Sequence, residues 1–131
     1  MTNNTKTMRS PLKRVRGLGS AKEGVQHWWV QRVTAVAMVP LLLILVVVML
    51  KLGSADHAAV VAAFKHPLLA LIALLAVLAM FWHLKLGLQV VVEDYIHVEG
   101  TKIVVQLVLT FAVILVGALC ALSILKLFFG A

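Results

Sequence analysis

The chain has 131 residues, of which 63% are hydrophobic and 13% are charged, with a mean hydropathy of +1.05 and a formal net charge of +7. A soluble globular domain carries about twice that share of charged residues, so the composition predicts an integral membrane protein. The basic residues cluster beside an apolar segment and lack interleaved aromatic residues. This pattern argues against nucleic-acid binding and favours anionic membrane lipids or a cytoplasmic partner.

Residues 1–32 form a basic N-terminal segment, and three apolar segments follow at about 33–52, 68–92 and 103–129. The long basic leader and the lack of a small-residue cleavage site argue against a cleaved signal peptide. Each apolar segment is long enough to cross about 30 Å of hydrocarbon as a helix. Their continuous apolar character excludes the alternating pattern of a transmembrane barrel. The sequence therefore predicts an all-α membrane protein with three transmembrane helices in one domain, residues 1–131.

Two short connections, 53–67 and 93–102, are predicted to be loops because they contain glycine, proline and charged residues. The leader contains a cluster of six basic residues: Lys6, Arg9, Lys13, Arg14, Arg16 and Lys22. By the positive-inside rule, the N-terminus and the 93–102 connection are predicted to be cytoplasmic and the C-terminus periplasmic. A bacterial inner membrane is favoured over a mitochondrial inner membrane.

His83 is the residue that most strongly indicates chemistry, because it lies inside the second apolar segment. Ionisable groups at membrane depth are usually functional, and a neutral imidazole is a common axial ligand of haem iron. Gly87, one turn along the same face, leaves room for a flat macrocycle. The structural alternative is a histidine hydrogen-bonded to a neighbouring helix. No second histidine lies deep in a span, so another axial ligand would have to come from a partner.

Asp94 and Tyr95 follow the second span in the run VVVEDYIH. The interval of eleven residues places His83 and Asp94 on nearly the same helix face, about 16 Å apart along the axis. A phenol hydroxyl donates to a carbonyl oxygen, and a carboxylate beside it orients a basic group or relays a proton. A solvated loop is the alternative for both residues, and it is the interpretation adopted for Glu93 and Glu99.

Arg32 stands at the start of the first span, preceded by His27, Trp28 and Trp29. These residues are typical of an interface anchor, in which tryptophans lie at headgroup level and arginine contacts phosphates. Arg32 and His27 also suit charge-assisted hydrogen bonds to haem propionates, and the two interpretations are compatible. Lys85 lies within the second span, where it must snorkel or find an anion.

Polar and small residues within the spans are predicted to hold the helices together. Those assigned to interhelical hydrogen bonds are Thr34, Gln89, Gln106, Thr110 and Ser123. Pro40 is expected to bend the first helix. Gly117 and Ala121 form a small-xxx-small pair, which is typical of close packing against a neighbouring helix.

The chain resembles the hydrophobic membrane anchor subunits of succinate dehydrogenase, or respiratory complex II, of the SdhD type. The stronger motif is HLKLGLQVVVEDYIH, which is similar to the family's haem-ligand histidine, glycine and Asp-Tyr pair. The weaker motif is HWWVQRVTAVAMVPL, which resembles the segment entering the family's first helix and contains Arg32. The resemblance in length and number of spans covers nearly the whole chain.

The resemblance implies a four-subunit succinate:ubiquinone oxidoreductase, to which the chain contributes only as part of the complex and without binding succinate. A flavoprotein oxidises succinate, an iron–sulfur protein carries electrons, and two anchors hold haem b and the quinone site. His83 would ligate the iron opposite a histidine of the second anchor, a cytochrome b subunit. Arg32 and His27 would contact the propionates. Tyr95 would donate to a ubiquinone carbonyl oxygen, and Asp94 would orient a companion arginine or pass protons.

Two alternatives stay open at this point. The first is an anchor of fumarate reductase or of another quinone-linked dehydrogenase, because redox potentials set the direction of catalysis. The second is a membrane assembly protein without redox chemistry, in which His83 and Asp94 only hold helices together.

Overall fold

The structure, a computed structural model, describes residues 24–130. It contains four helices in this part of the chain: α1 (Gly24–Leu52), α2 (His57–Phe64), α3 (Pro67–Tyr95) and α4 (Glu99–Phe129). Helices α1, α3 and α4 are long and apolar enough to cross a membrane. The prediction of an all-α protein with three transmembrane helices is therefore confirmed. The basic cluster of the leader, between Lys6 and Lys22, lies outside the residues that the structure describes.

The long helices extend beyond the apolar segments of the sequence. Helix α1 begins at Gly24, well before the apolar run, because its polar first turns continue the same helix. The 29 residues of α3 correspond to about 44 Å, which exceeds the hydrocarbon thickness of about 30 Å. Helix α3 runs through Tyr95, so only residues 96–98 connect it to α4. The prediction that Asp94 and Tyr95 lie in a loop is therefore wrong, since both belong to the last helical turn.

Helix α2 lies within the first connection, which was predicted to be a loop throughout. Its N-cap is Asp56, whose Oδ1 accepts a hydrogen bond from the backbone N–H of Ala59 at 2.9 Å. The cap satisfies one of the free N–H groups of the first turn, and the alanines that follow have the highest helix propensity. Phe64 at the end of α2 is buried. Helix α2 packs against both α3 and α4.

Helix α3 occupies the centre of the structure and packs extensively against α1 on one side and α4 on the other. Within residues 24–130, α1 and α4 make no comparably extensive contact, so the three long helices form a layer. The buried residues of α3 include Ala70, Ala73 and Ala76, whose small side chains allow neighbours to approach closely. Helix α1 contributes no residue to the core. The layer therefore presents large apolar surfaces to lipid or to other membrane helices.

Two of the predicted packing features concern a glycine and a proline. A Cβ at Gly117 would lie 3.1 Å from Cγ of Phe81, so α3 and α4 approach closely there and the predicted packing role of Gly117 is confirmed. Helix α1 continues unbroken through Pro40, and the bend expected there stays a prediction.

The predicted interhelical hydrogen bonds are only partly observed. Thr34 of α1 contacts α3 at 3.0 Å, as predicted. Ser123 donates to the Leu119 carbonyl oxygen at 2.8 Å, and Gln89 donates to Glu93 Oε1 at 2.8 Å. Both bonds lie within one helix, so the interhelical assignment of Ser123 and Gln89 is wrong. Partners four residues away are the nearest groups that such side chains can reach.

Candidate functional site

A groove of about 580 Å³ lies between the N-terminal part of α1 and the C-terminal part of α3, and we call it the histidine groove. It brings together four positions singled out in the sequence: His83, Gly87, Arg32 and His27. The full lining comprises Gly24, His27, Trp28, Gln31, Arg32 and Ala35 of α1, with His83, Gly87, Val90 and Glu93 of α3.

The imidazole of His83 reaches across to α1 through its Nδ1 atom. Nδ1 lies 3.0 Å from Oγ1 of Thr34 and 3.2 Å from the backbone carbonyl oxygen of Gln31. The Thr34 hydroxyl also lies 2.8 Å from the Val30 carbonyl oxygen, to which it donates its hydrogen. Two oxygens that can accept a hydrogen therefore surround Nδ1. This arrangement favours the tautomer in which Nδ1 carries the proton and donates to α1.

The other ring nitrogen of His83, Nε2, then carries a lone pair. It lies 3.4 Å from Nε2 of the Gln31 side chain, which is longer than the usual limit of about 3.2 Å for such a bond. The Gln31 Oε1 atom is buried and makes no hydrogen bond within the described residues. The Gln31 amide is thus weakly held beside the lone pair of His83, where a stronger ligand can replace it.

Gly87 keeps the groove open one turn beyond His83. A Cβ at this position would meet only Nε2 of Gln31, at an ordinary contact distance of 3.7 Å. The packing of the chain on itself therefore does not require glycine here. The situation at Gly117 is different, because a Cβ there would press on the ring of Phe81.

Arg32 and His27 of α1 line the groove near the start of the helix. The guanidinium carbon of Arg32 lies 4.4 Å from the ring centroid of Trp28, in a cation–π contact. His27 Nε2 is buried and has no hydrogen-bond partner among residues 24–130. Because a buried polar atom without a partner is costly, His27 indicates that a group from outside residues 24–130 completes this end of the groove.

The structure does not place Asp94 and Tyr95 in the histidine groove. Both are exposed at the end of α3, with Tyr95 79% exposed. The acidic residue that lines the groove is Glu93, which was expected to lie in a solvated loop. From His83, the lining positions on α3 advance by four, three and three residues to Glu93, so the groove drifts away from the face that contains Asp94.

Lys85 and Gln31 also differ from expectation. The Lys85 ammonium lies 5.5 Å from the ring centroid of Trp82, in a cation–π contact, and it forms no ion pair within residues 24–130. Gln31 received no role from the sequence, because a single glutamine near a helix start has many uses. Its position one turn before Thr34, on the same face of α1, is the signal that would have identified it.

The histidine groove suits a flat ligand that has a metal at its centre and anionic groups at one edge. The lone pair on Nε2 of His83 is a soft nitrogen donor of the kind that haem iron accepts. Gly87 leaves space along the ring plane, while Arg32 and the orphaned His27 supply donors for carboxylates. These residues therefore fit a haem group, with one axial ligand from this chain.

Comparisons with known proteins agree with this picture at the level of the family. Residues 6–118 match the succinate dehydrogenase/fumarate reductase transmembrane subunit family. The succinate dehydrogenase hydrophobic membrane anchor subunit of Rickettsia bellii is 36% identical over 92 residues, covering 70% of this chain and 74% of that protein. The protein of the same name from Paracoccus denitrificans is 32% identical over 115 residues, covering 88% and 86% respectively.

A succinate dehydrogenase membrane anchor subunit of Reclinomonas americana is 32% identical over 88 residues, which cover 63% of this chain and 72% of that protein. No solved structure matches the chain. The family match runs from the basic leader into α4 and includes both motifs. The resemblance to the SdhD-type anchors is thereby confirmed, and the chain belongs to the succinate dehydrogenase/fumarate reductase transmembrane subunit family.

Proposed function

We propose that this chain is the hydrophobic membrane anchor subunit of a succinate:ubiquinone oxidoreductase, with one axial ligand to haem b and part of the ubiquinone-reducing site. The observation that carries the proposal is the state of His83. Its Nδ1 is held by two oxygens of α1, at 3.0 and 3.2 Å, while its Nε2 has only a 3.4 Å contact with an amide. Metal-ligating histidines commonly show this division of roles between the two ring nitrogens.

Four residues of the histidine groove, His83, Gln31, His27 and Arg32, have defined tasks in this proposal. His83 ligates iron through Nε2, and its bonds to Thr34 and Gln31 fix the ring and strengthen Nε2 as a donor. His27 and Arg32 donate to the propionates, which relieves the unpaired state of His27. When bound, the haem accepts and releases single electrons. The companion cytochrome b anchor would supply the other histidine that holds the haem.

The quinone site is proposed to form around the end of α3, with ubiquinone as the substrate. Tyr95 is exposed, so its hydroxyl is free to donate a hydrogen bond to a quinone carbonyl oxygen. Asp94, also exposed, orients an arginine of the companion anchor or passes a proton to the reduced oxygen. Since both side chains project from a helix end, the walls of the pocket come from the partner subunits.

The proposed assembly contains a flavoprotein, an iron–sulfur protein and a second anchor, of which the first two lie on the cytoplasmic side. Electrons from succinate pass through the iron–sulfur protein to the quinone near Tyr95. The basic leader supports a cytoplasmic N-terminus, and the three crossings then put the C-terminus in the periplasm. We place the complex in a bacterial inner membrane, in line with relatives from Rickettsia and Paracoccus.

An anchor of a fumarate reductase is the second candidate, because the matching family includes the transmembrane subunits of both enzymes. The two differ in the direction of electron flow, which follows the potential of the membrane quinone. The curated relatives favour the succinate dehydrogenase role.

The proposal is tested by purifying the full chain from its native membrane through an affinity tag. We expect a flavoprotein and an iron–sulfur protein to co-purify, together with succinate-dependent ubiquinone reduction. A complex that oxidises only quinol with fumarate as acceptor would favour the fumarate reductase role. Recovery of the chain without a flavoprotein and without a visible chromophore would contradict both and favour an assembly protein.

A further inference from the structure

A second groove, of about 530 Å³, lies at the opposite end of the helix layer from Tyr95, between α2 and the last turns of α4. We call it the lysine groove. Its polar lining consists of Lys65 and His57 from α2 and Lys126 and Ser123 from α4. No residue of the histidine groove takes part in it.

The lysine groove is built from matching faces of two helices. On α2, His57, Val61 and Lys65 follow one another at steps of four residues and so share one face. On α4, Lys126 is followed directly by Leu127. Ammonium groups from both helices thus surround a surface that also contains aliphatic side chains. A ligand that fits must combine negative charge with an apolar portion.

Gly130 lies close to the side chain of Lys65 at the rim of the groove. Gly130 has a left-handed φ of +73°, and its N–H donates to the Lys126 carbonyl oxygen at 3.0 Å. A Cβ at Gly130 would lie 3.1 Å from Cε and 3.3 Å from Nζ of Lys65. The left-handed φ favours glycine at this helix end, and the end of the Lys65 side chain lies beside it.

Both lysines lie at helix C-termini, where the helix dipole stabilises cations. Lys65 is the C-cap of α2, and Lys126 lies in the last turn of α4. Lys51 lies at the same end of the layer, in the last turn of α1. Asp56 is the one acidic residue among residues 51–66 and 119–130, and its carboxylate caps α2. This end of the described structure therefore carries excess positive charge beside exposed apolar surface.

We propose that the lysine groove binds the phosphate of an anionic glycerophospholipid headgroup, with Lys65 and Lys126 as its two cationic contacts. A free phosphate ion offers the same charge, but Val61 and Leu127 in the lining suit the glycerol and acyl portions of a lipid. Basic pockets between transmembrane helices hold such headgroups on the cytoplasmic side of membranes, and the same attraction between ammonium and phosphate groups acts at this end of the layer. The bound lipid joins α2 to the end of α4. This inference goes beyond the proposed function, since it requires neither haem nor quinone.

The test is native mass spectrometry of the detergent-solubilised chain with the subunits that co-purify. Phosphatidylglycerol is titrated against phosphatidylcholine with the same acyl chains, and inorganic phosphate is titrated separately. The test variant is the double substitution Lys65→Gln and Lys126→Gln. The matched control is Lys51→Gln, which removes a cation from the same boundary but outside the groove. A second double variant, Lys65→Arg with Lys126→Arg, keeps both charges.

We expect one tight phosphatidylglycerol site that phosphatidylcholine does not fill. Each lysine lost is expected to weaken it about fivefold, and the pair roughly 30-fold. Lys51→Gln and the double arginine variant should retain the site. An unchanged double glutamine variant, or an equal loss in Lys51→Gln, would overturn the proposal. Saturable binding of inorganic phosphate that the double glutamine variant loses, without any preference for phosphatidylglycerol, would assign the groove to a soluble anion and also overturn it.

Discussion

Oγ1 of Thr34 lies 3.0 Å from Nδ1 of His83, although 49 positions separate the two residues in the chain. The contact joins α1 to α3 at the level of the histidine groove, and it leaves Nε2 of the imidazole available as the proposed ligand atom. Since hydrogen bonds to the far side of a ligating histidine set its orientation and donor strength, Thr34 is a positioning residue in the proposed haem site.

Replacement of Thr34 by valine keeps the shape of the side chain but removes one of the two acceptors at Nδ1 of His83, leaving only the Gln31 carbonyl oxygen. We expect haem retention to fall about tenfold or more, with a shift in the haem midpoint potential and in the low-spin electron paramagnetic resonance signal. Thr34→Ser keeps the hydroxyl and should restore the wild-type signal. Identical spectra and potentials for Thr34→Val and wild type would show that the hydroxyl does not act through His83.

His83→Ala should abolish or strongly perturb the b-type signal in the reduced-minus-oxidised spectrum of the purified complex, because the proposed axial ligand is lost. His97→Ala is the matched control, since His97 is exposed in the connection between α3 and α4. If the complex with His83→Ala is intact and has the wild-type spectrum, the role of His83 is purely structural.

Gly87→Ala should leave the packing of this chain unchanged, because the added Cβ meets Gln31 at an ordinary 3.7 Å. If a haem occupies the groove, the methyl group will intrude on it and lower haem content per complex. Pyridine haemochrome analysis measures the haem, and helix content by circular dichroism controls for folding. Full haem content with Gly87→Leu as well would mean that no ligand approaches this position.

Tyr95→Phe should impair succinate-dependent ubiquinone reduction while succinate oxidation by a soluble dye is spared. The loss of one neutral hydrogen bond corresponds to roughly two- to tenfold in rate. Because the dye takes electrons before the quinone site, the ratio of the two activities isolates the anchor. His97→Ala, at a nearby exposed position, should leave the ratio unchanged. Equal losses of both activities in Tyr95→Phe would count against the quinone role.

Gly117→Val should destabilise the contact between α3 and α4 by about 1–3 kcal/mol, because the new side chain overlaps the Phe81 ring. Gly100→Val is the matched control: Gly100 is also helical, and a Cβ there meets nothing within 4 Å. Unfolding of the full chain in mixed detergent, followed by tryptophan fluorescence, gives the two stabilities. Equal values would show that α4 shifts freely past Phe81.

The apolar runs predicted the three transmembrane helices because the mean hydropathy over about 20 residues changes little with any single residue. Hydropathy did not predict the start of α1 at Gly24. Residues 24–32 contain polar side chains, which lower the mean hydropathy but are compatible with a helix. Helix α2 was overlooked because the glycine and proline around it suggested a loop. Asp56 ahead of HAAVVAAF is a local helix signal that, given more weight, would have identified it.

The individual site residues were predictable where their chemistry is unusual for a membrane interior, as for His83. Gln31 and Glu93 were missed for two different physical reasons. A glutamine gives no distinctive signal, and the crossing of two helices decided which of three neighbouring positions, 93, 94 or 95, would line the groove. Such crossings depend on side-chain packing along the whole interface.

The two walls of the histidine groove have a consequence for biosynthesis, because they come from residues 24–35 and 83–93. A ribosome that has made only α1 has placed Arg32 and Thr34 in the membrane without any partner for them. The groove can form only after α3 has left the translocation machinery and packed against α1. Insertion of the proposed haem would therefore follow the second passage of this chain through the bilayer, and a truncated product ending before residue 83 should remain colourless.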